Sequence, residues 1–81
     1  MTKKTSLLMV EDSLSLAAIY MGYLHDEFVE VRHVANLNDA VEYLQHTVPD
    51  LVLLDIELPD GNGMDLLRQM AKEGFTSDVI V

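Results

Sequence analysis

The chain has 81 residues, a formal net charge of -9 and no cysteine. That length permits one small domain with a modest core, and the missing thiols exclude a disulfide framework and a thiolate zinc site. Fourteen acidic residues against five basic ones argue against direct nucleic-acid contact and suit a divalent cation or a basic partner surface.

Hydrophobic residues make up 49% of the chain, enough for a core rather than disorder. The basic start, Met1-Thr2-Lys3-Lys4, leads to an apolar run, Leu7 to Val10, that meets Glu11-Asp12 at once. That run is too short for a signal peptide or a membrane span, so the chain is expected in the cytoplasm.

Ser6-Leu7-Leu8-Met9-Val10 predicts a first buried strand ending in Glu11-Asp12-Ser13, with Asp12 or Ser13 as the N-cap of a helix. That helix carries Leu14, Ala17, Ala18, Met21 and Leu24 as its apolar face and is expected to reach about His25. Phe28 to Val34 alternates apolar with polar, the pattern of an edge strand with Val29, Val31 and Val34 inward. Asn36 and Asn38 are candidate caps for a second helix with Leu37, Ala40, Val41 and Leu44 inside, ended before Pro49.

Pro49-Asp50 then opens the stretch on which the chain turns. Leu51 to Leu54 is an unbroken apolar run, expected as a strand buried on both faces of a parallel sheet. It stops at Asp55, and open α/β sheets place their ligands at such strand ends. Pro59-Asp60-Gly61-Asn62-Gly63 predicts a turn-rich loop. A third helix follows from Asn62 or Gly63, with Met64, Leu67, Met70 and Ala71 inward and Gly74 as its stop. Asp78-Val79-Ile80-Val81 opens a fourth strand.

Strands alternating with helices imply a parallel sheet with right-handed crossovers. If the first and third strands are neighbours, Glu11, Asp12 and Asp55 converge in one crevice. Like charges about 4 Å apart repel by roughly 4 kcal/mol per pair at an effective dielectric of 20, so such a cluster calls for a cation or a shared proton. All-oxygen donors favour Mg²⁺ and leave one carboxylate free as a nucleophile toward phosphorus. Read singly, each acid is a helix cap or turn residue; the two acidic ends after the two most apolar strands favour a joint site. Asp60-Gly61-Asn62-Gly63 fails as an EF-hand because Leu58 and Gln69 would fall on its first and last ligand positions. Leu66 stands where a dinucleotide fingerprint needs its third glycine. His25, His33 and His46 are expected at the surface, and Met9, Met21, Met64 and Met70 in the core.

Met9-Val10-Glu11-Asp12-Ser13 together with Pro49 to Gly63 resembles the receiver domain of two-component response regulators. The resemblance implies a flavodoxin-like doubly wound α/β fold with strand order 2-1-3-4. It matches Asp55 to the phosphoacceptor, and Glu11 and Asp12 to the acidic pair that helps bind Mg²⁺, with Asp12 the closer ligand. Glu57 matches the position whose backbone carbonyl also ligates the metal, and Pro59 and Gly63 match the loop's usual proline and glycine. It implies a histidine kinase or histidine phosphotransfer protein as donor and an output domain, of which none is visible here. Val10 to Ser13, Ser15 to Tyr20 and Tyr23-Leu24 are similar, more narrowly, to NtrC-like enhancer-binding regulators of quorum sensing.

The resemblance also calls for a Ser or Thr after the fourth strand and a Lys after the fifth, neither of which precedes Val81. Residues 1–81 are therefore expected to be the N-terminal portion of a receiver domain, truncated before the fifth strand, with an open sheet edge that invites a homodimer. Two other readings are an acidic interaction fragment that binds a partner or dimerises without phosphorylation, and an aspartyl phosphatase, suggested by Asp55-x-Glu57.

Overall fold

The computed structural model describes residues 4–25 and 28–81. The basic start at Met1 to Lys3 lies outside the described residues. Strands β1 (Thr5–Val10), β2 (Val29–Val34), β3 (Leu51–Leu54) and β6 (Asp78–Ile80) form one parallel sheet in the order β2-β1-β3-β6. This is the flavodoxin-like order 2-1-3-4 in terms of the main-sheet strands. Helices α1 (Leu14–Tyr23), α2 (Leu37–His46) and α3 (Gly63–Lys72) make the crossovers. The segment expected to be a plain loop after Asp55 instead forms a small antiparallel hairpin, β4 (Glu57–Leu58) with β5 (Gly61–Asn62).

The period-two alternation of β1 divides the core. Leu8 and Val10 pack with Val52, Leu54, Ala40, Leu44, Leu66 and Met70 on the α2–α3 face. Leu7 and Met9 pack with Ala17 on the α1 face, beside Val29, Val31, Leu51 and Leu53. Two helices cover one face and one helix covers the other. Consequently β1 is buried on both faces, whereas β3, expected to be so, is fully buried only at Val52 and Leu54. On β2, Val29 and Val31 face α1 while Val34 joins the opposite core.

Two expected helix faces shift. In α1 only Ala17 is buried; Leu14 is 73% exposed and Ala18 and Met21 are also exposed. The helix is apolar nearly all round, so periodicity cannot select the contact line. It ends at Tyr23, just short of His25. In α3 the buried stripe is Gly63, Leu66 and Met70; Met64 and Leu67 are half-buried and Ala71 is exposed.

The caps follow the sequence closely. Ser13 Oγ accepts from Leu16 N–H (3.2 Å), Asn36 Oδ1 from Asp39 N–H (2.8 Å) and Asn62 Oδ1 from Met64 N–H (2.8 Å). Gly74, at φ +76°, ends α3. Phe75 N–H donates to Met70 C=O (3.0 Å) and Gly74 N–H to Ala71 C=O (3.2 Å), the paired bonds of a Schellman motif.

At the other end of the sheet, Ser6 N–H donates to Asp50 Oδ2 (2.8 Å) and Asp50 N–H donates to Ser6 Oγ (3.0 Å). This pair ties the starts of β1 and β3 in the register Leu7↔Leu51 to Val10↔Leu54. A slip of one residue would exchange the two faces of β3.

Candidate phosphoacceptor and metal site

That register puts the residues after Val10 and Leu54 side by side. Asp55 N–H donates to Val10 C=O (2.9 Å) and Glu11 N–H donates to Val34 C=O (3.0 Å), so the acidic ends continue the ladder. Carboxylate oxygens of Glu11, Asp12 and Asp55 all lie within 4.8 Å of one another. Glu11 is buried at 7% exposure, Asp55 is half-buried and Asp12 faces solvent. Burial pushes the Glu11 carboxyl above its ordinary range. A hydrogen bond with Asp55 and the charges of Asp55 and Asp12 push it further, against a smaller opposing pull from the Ser13 N–H.

This is the convergence expected from the sequence, and its chemistry fits a hard divalent cation. The donors are all oxygens, one or two of them can ligate while water fills the rest, and a cation would relieve the repulsion that Asp55 and Asp12 add to the effect of burial on Glu11. Glu57 lies apart from the three converging carboxylates, with its side chain exposed. Its backbone is engaged instead: Glu57 N–H donates to Asp55 Oδ1 (3.1 Å) and so orients the Asp55 carboxylate.

Gly63 closes the back of the site. A Cβ there would stand 2.5 Å from the Asp55 carbonyl oxygen and 3.1 Å from both Ile56 Cα and a Leu54 methyl carbon. Gly63 N–H donates to Ile56 C=O (2.7 Å), so α3 begins directly against the strand that carries Asp55. Pro59 occupies the exposed turn of the hairpin.

His33 was expected at the surface and is half-buried. Its Nε2 lies 2.8 Å from the Glu11 carbonyl oxygen, which makes that nitrogen the donor. The contact links the end of β2 to the acidic loop. Its sequence signal is weak, because nothing local marks a ring on an edge strand as the partner of a distant carbonyl.

The pattern that defines the response regulator receiver domain matches residues 7–81. The chain belongs to that family. Among similar receiver-containing proteins, the luminescence regulatory protein LuxO of Vibrio campbellii is 47% identical over 64 residues, 79% of this chain and 14% of LuxO. The transcriptional regulatory protein DpiA of Escherichia coli is 34% identical over 82 residues, covering 99% of this chain and 36% of DpiA. The receiver thus spans well under two thirds of these relatives.

Among solved structures, the signal receiver domain of a LuxO repressor protein from Vibrio parahaemolyticus superposes with a TM-score of 0.89 at 36% identity, covering 94% of this chain and 58% of that one. The MaeR response regulator bound to beryllium trifluoride superposes with a TM-score of 0.87 at 37% identity, covering 94% of this receiver and 64% of MaeR. The chain is therefore a LuxO-related receiver with the CheY-like fold. Among the described residues no helix is long and apolar enough to cross a membrane.

Proposed function

We propose that this chain accepts a phosphoryl group on Asp55 from a phosphohistidine of a histidine kinase or histidine phosphotransfer protein, and so controls a downstream output. The observation that carries this reading is the meeting of Glu11, Asp12 and Asp55 within 4.8 Å at the ends of two adjacent parallel strands. A carboxylate oxygen of Asp55 attacks phosphorus as the phosphorus–nitrogen bond breaks. The bond pair stays with the imidazole nitrogen, and an acyl phosphate forms on Asp55.

Glu57 N–H on Asp55 Oδ1 holds the nucleophile in one orientation. Glu11, Asp12, Asp55 and the Glu57 carbonyl are the residues that would hold Mg²⁺. When bound, Mg²⁺ supplies the positive charge that lets an anionic carboxylate meet an anionic phosphoryl group. The Glu11 carboxyl, raised above its ordinary range, would be drawn back toward its charged form by a bound cation.

The similarity to MaeR bound to beryllium trifluoride supports a phosphoryl ligand, because that anion has the shape and charge of a phosphoryl group. The LuxO and DpiA relatives support transcription, with quorum sensing the narrower reading, as the output and the cytoplasm as the setting. The chain is read as the N-terminal portion of a receiver domain, a signalling module that assists its own phosphorylation. The exposed Glu57 side chain, beside the acceptor, is read as a modulator of phosphate lifetime. Comparing dephosphorylation half-lives with Glu57 and with Glu57→Gln tests that role, and equal half-lives remove it.

A second reading is favoured by apolar surface. Leu14, Ile19 and Tyr23 on α1 are exposed, as are Ile80 and Val81 at the β6 edge. Such a surface suits an acidic interaction module that binds a partner or forms a homodimer without phosphorylation. Incubation with a small phosphoramidate donor separates the two. The main reading expects Mg²⁺-dependent, acid-labile phosphate that is lost in Asp55→Asn; the second expects association with no phosphate taken up.

A further inference from the structure

Asp60 lies in the turn of the β4–β5 hairpin, where Glu57 pairs with Asn62 and Leu58 with Gly61. Its carboxylate leaves that hairpin and reaches the first turn of α2. Oδ1 accepts from Leu37 N–H (2.7 Å) and Oδ2 accepts from Asn38 N–H (2.9 Å). A helix leaves its first N–H groups without intrahelical partners. Asn36, the cap of α2 itself, satisfies only Asp39 N–H, so Asp60 supplies acceptors for the two donors before it. The Leu37 N–H, then the Asn38 N–H, hold the Asp60 carboxyl below its ordinary range, as expected for an anion on a helix N-terminus.

The hairpin has little to hold it by itself. Each of its strands is two residues long, and an isolated hairpin is marginal even at greater length. Its anchors are buried Leu58, the Gly63 N–H bond to Ile56, the contact of Gly61 with the Leu37 side chain, and Asp60. The same hairpin begins with Glu57, whose N–H orients Asp55 Oδ1.

We infer that Asp60 is a positioning residue for the phosphoacceptor site: by clasping the N-terminus of α2 it holds the β4–β5 hairpin so that Glu57 N–H meets the Asp55 carboxylate. This rests on the reading of Asp55 as a metal-assisted acceptor. It adds a mechanical link between that acceptor and the first turn of α2, through a residue that touches neither metal nor phosphoryl group.

The test compares Asp60→Ala, Asp60→Asn and Asn36→Ala in the protein. Amide hydrogen exchange without metal is read at Leu37, Asn38 and Glu57, and Mg²⁺ affinity is then read from backbone amide shifts. Asp60→Ala is expected to speed exchange at all three amides and to weaken Mg²⁺ binding about tenfold, the lower end of outer-shell effects. Asp60→Asn keeps one carbonyl acceptor and is expected to restore part of both. Asn36→Ala weakens α2 without touching the hairpin, and should leave Glu57 exchange and Mg²⁺ affinity unchanged.

If Asp60→Ala frees Leu37 and Asn38 but leaves Glu57 and Mg²⁺ affinity as they were, Asp60 is a helix cap only and the inference fails. It fails equally if Asn36→Ala weakens Mg²⁺ as much as Asp60→Ala does. A wild-type protein that takes up neither Mg²⁺ nor phosphate overturns the acceptor reading instead, and Glu57 exchange still decides the clasp.

Discussion

Three glycines occupy three different surroundings, so a single substitution to alanine should give three different results. At Gly63 the new Cβ would stand 2.5 Å from the Asp55 carbonyl oxygen and 3.1 Å from Ile56 Cα, both of them backbone atoms. A close carbon–oxygen contact is roughly 3.3 Å, so α3 and the end of β3 must part by about 0.8 Å. Overpacking of this kind costs about 1–3 kcal/mol, and the upper part of that range applies because neither neighbour can rotate away. A loss of about 2–3 kcal/mol lowers Tm by roughly 10–20 °C in a domain of this size.

At Gly74 there is open space but φ is +76°, so alanine meets only the left-handed backbone cost of about 1–2 kcal/mol. At Gly22, inside α1 with nothing within 4 Å, alanine should stabilise by roughly 0.5–1 kcal/mol. Chemical denaturation of the three variants measures the order. Because the Gly63 clash falls on the acceptor's own carbonyl, Gly63→Ala should also slow phosphoryl uptake, whereas Gly74→Ala should not. A Gly63→Ala protein no less stable than Gly74→Ala, with normal uptake, would refute the close approach of α3 to Asp55.

Leu66, at 2% exposure, should cost about 2–5 kcal/mol when cut to alanine, while Ala71→Ser on the exposed side should stay within about 0.5 kcal/mol; denaturant midpoints check both. Glu11 gives a pH signature. Its carboxyl is raised above the ordinary value of 4.5, chiefly by burial and then by Asp55, so the native state holds that proton more tightly than the unfolded chain does. The stability this provides is complete below 4.5 and is lost as pH rises through the native value. With a chelator present, wild type should therefore lose stability relative to Glu11→Gln as pH climbs above 4.5, and Mg²⁺ affinity should rise over the same window. Asp60, lowered from 3.8 by the Leu37 and Asn38 N–H groups, acts in a separate window, losing its contribution as pH falls below 3.8. A relative gain for wild type above 4.5 would contradict the burial assigned to Glu11.

The strands, helices and caps are legible because each depends on local pattern: apolar runs stopped by acids, caps before helices, a glycine after α3. The strand order, and with it the meeting of the acidic ends, comes from the resemblance to receiver domains. What escaped the sequence depends on distance. The inward face of α3 was expected along Met64, Leu67, Met70 and Ala71 but falls on Gly63, Leu66 and Met70. Gly63 against the Asp55 carbonyl sets the rotation of that helix, and hydrophobicity alone cannot report a contact made by a missing side chain. In α1, apolar residues lie on nearly every side, so the pattern does not single out the contact line: of the face expected along Leu14, Ala17, Ala18 and Met21, only Ala17 is buried. His33 and Asp60 read as an edge residue and a turn former, yet one meets the Glu11 carbonyl and the other meets amides 23 and 22 residues away. The hairpin looks like a plain loop in sequence because each of its strands has only two residues.

The central claim is that Asp55 itself carries the phosphoryl group, and chemical trapping of the acyl phosphate tests it most directly. Borohydride reduces an aspartyl phosphate to homoserine and leaves free carboxylates alone. After incubation with a phosphoramidate donor and Mg²⁺, peptide mapping is expected to find homoserine at position 55 alone, and to find none when Mg²⁺ is withheld. Homoserine at position 12 or elsewhere, or phosphate retained through acid on a serine or threonine, would contradict the account.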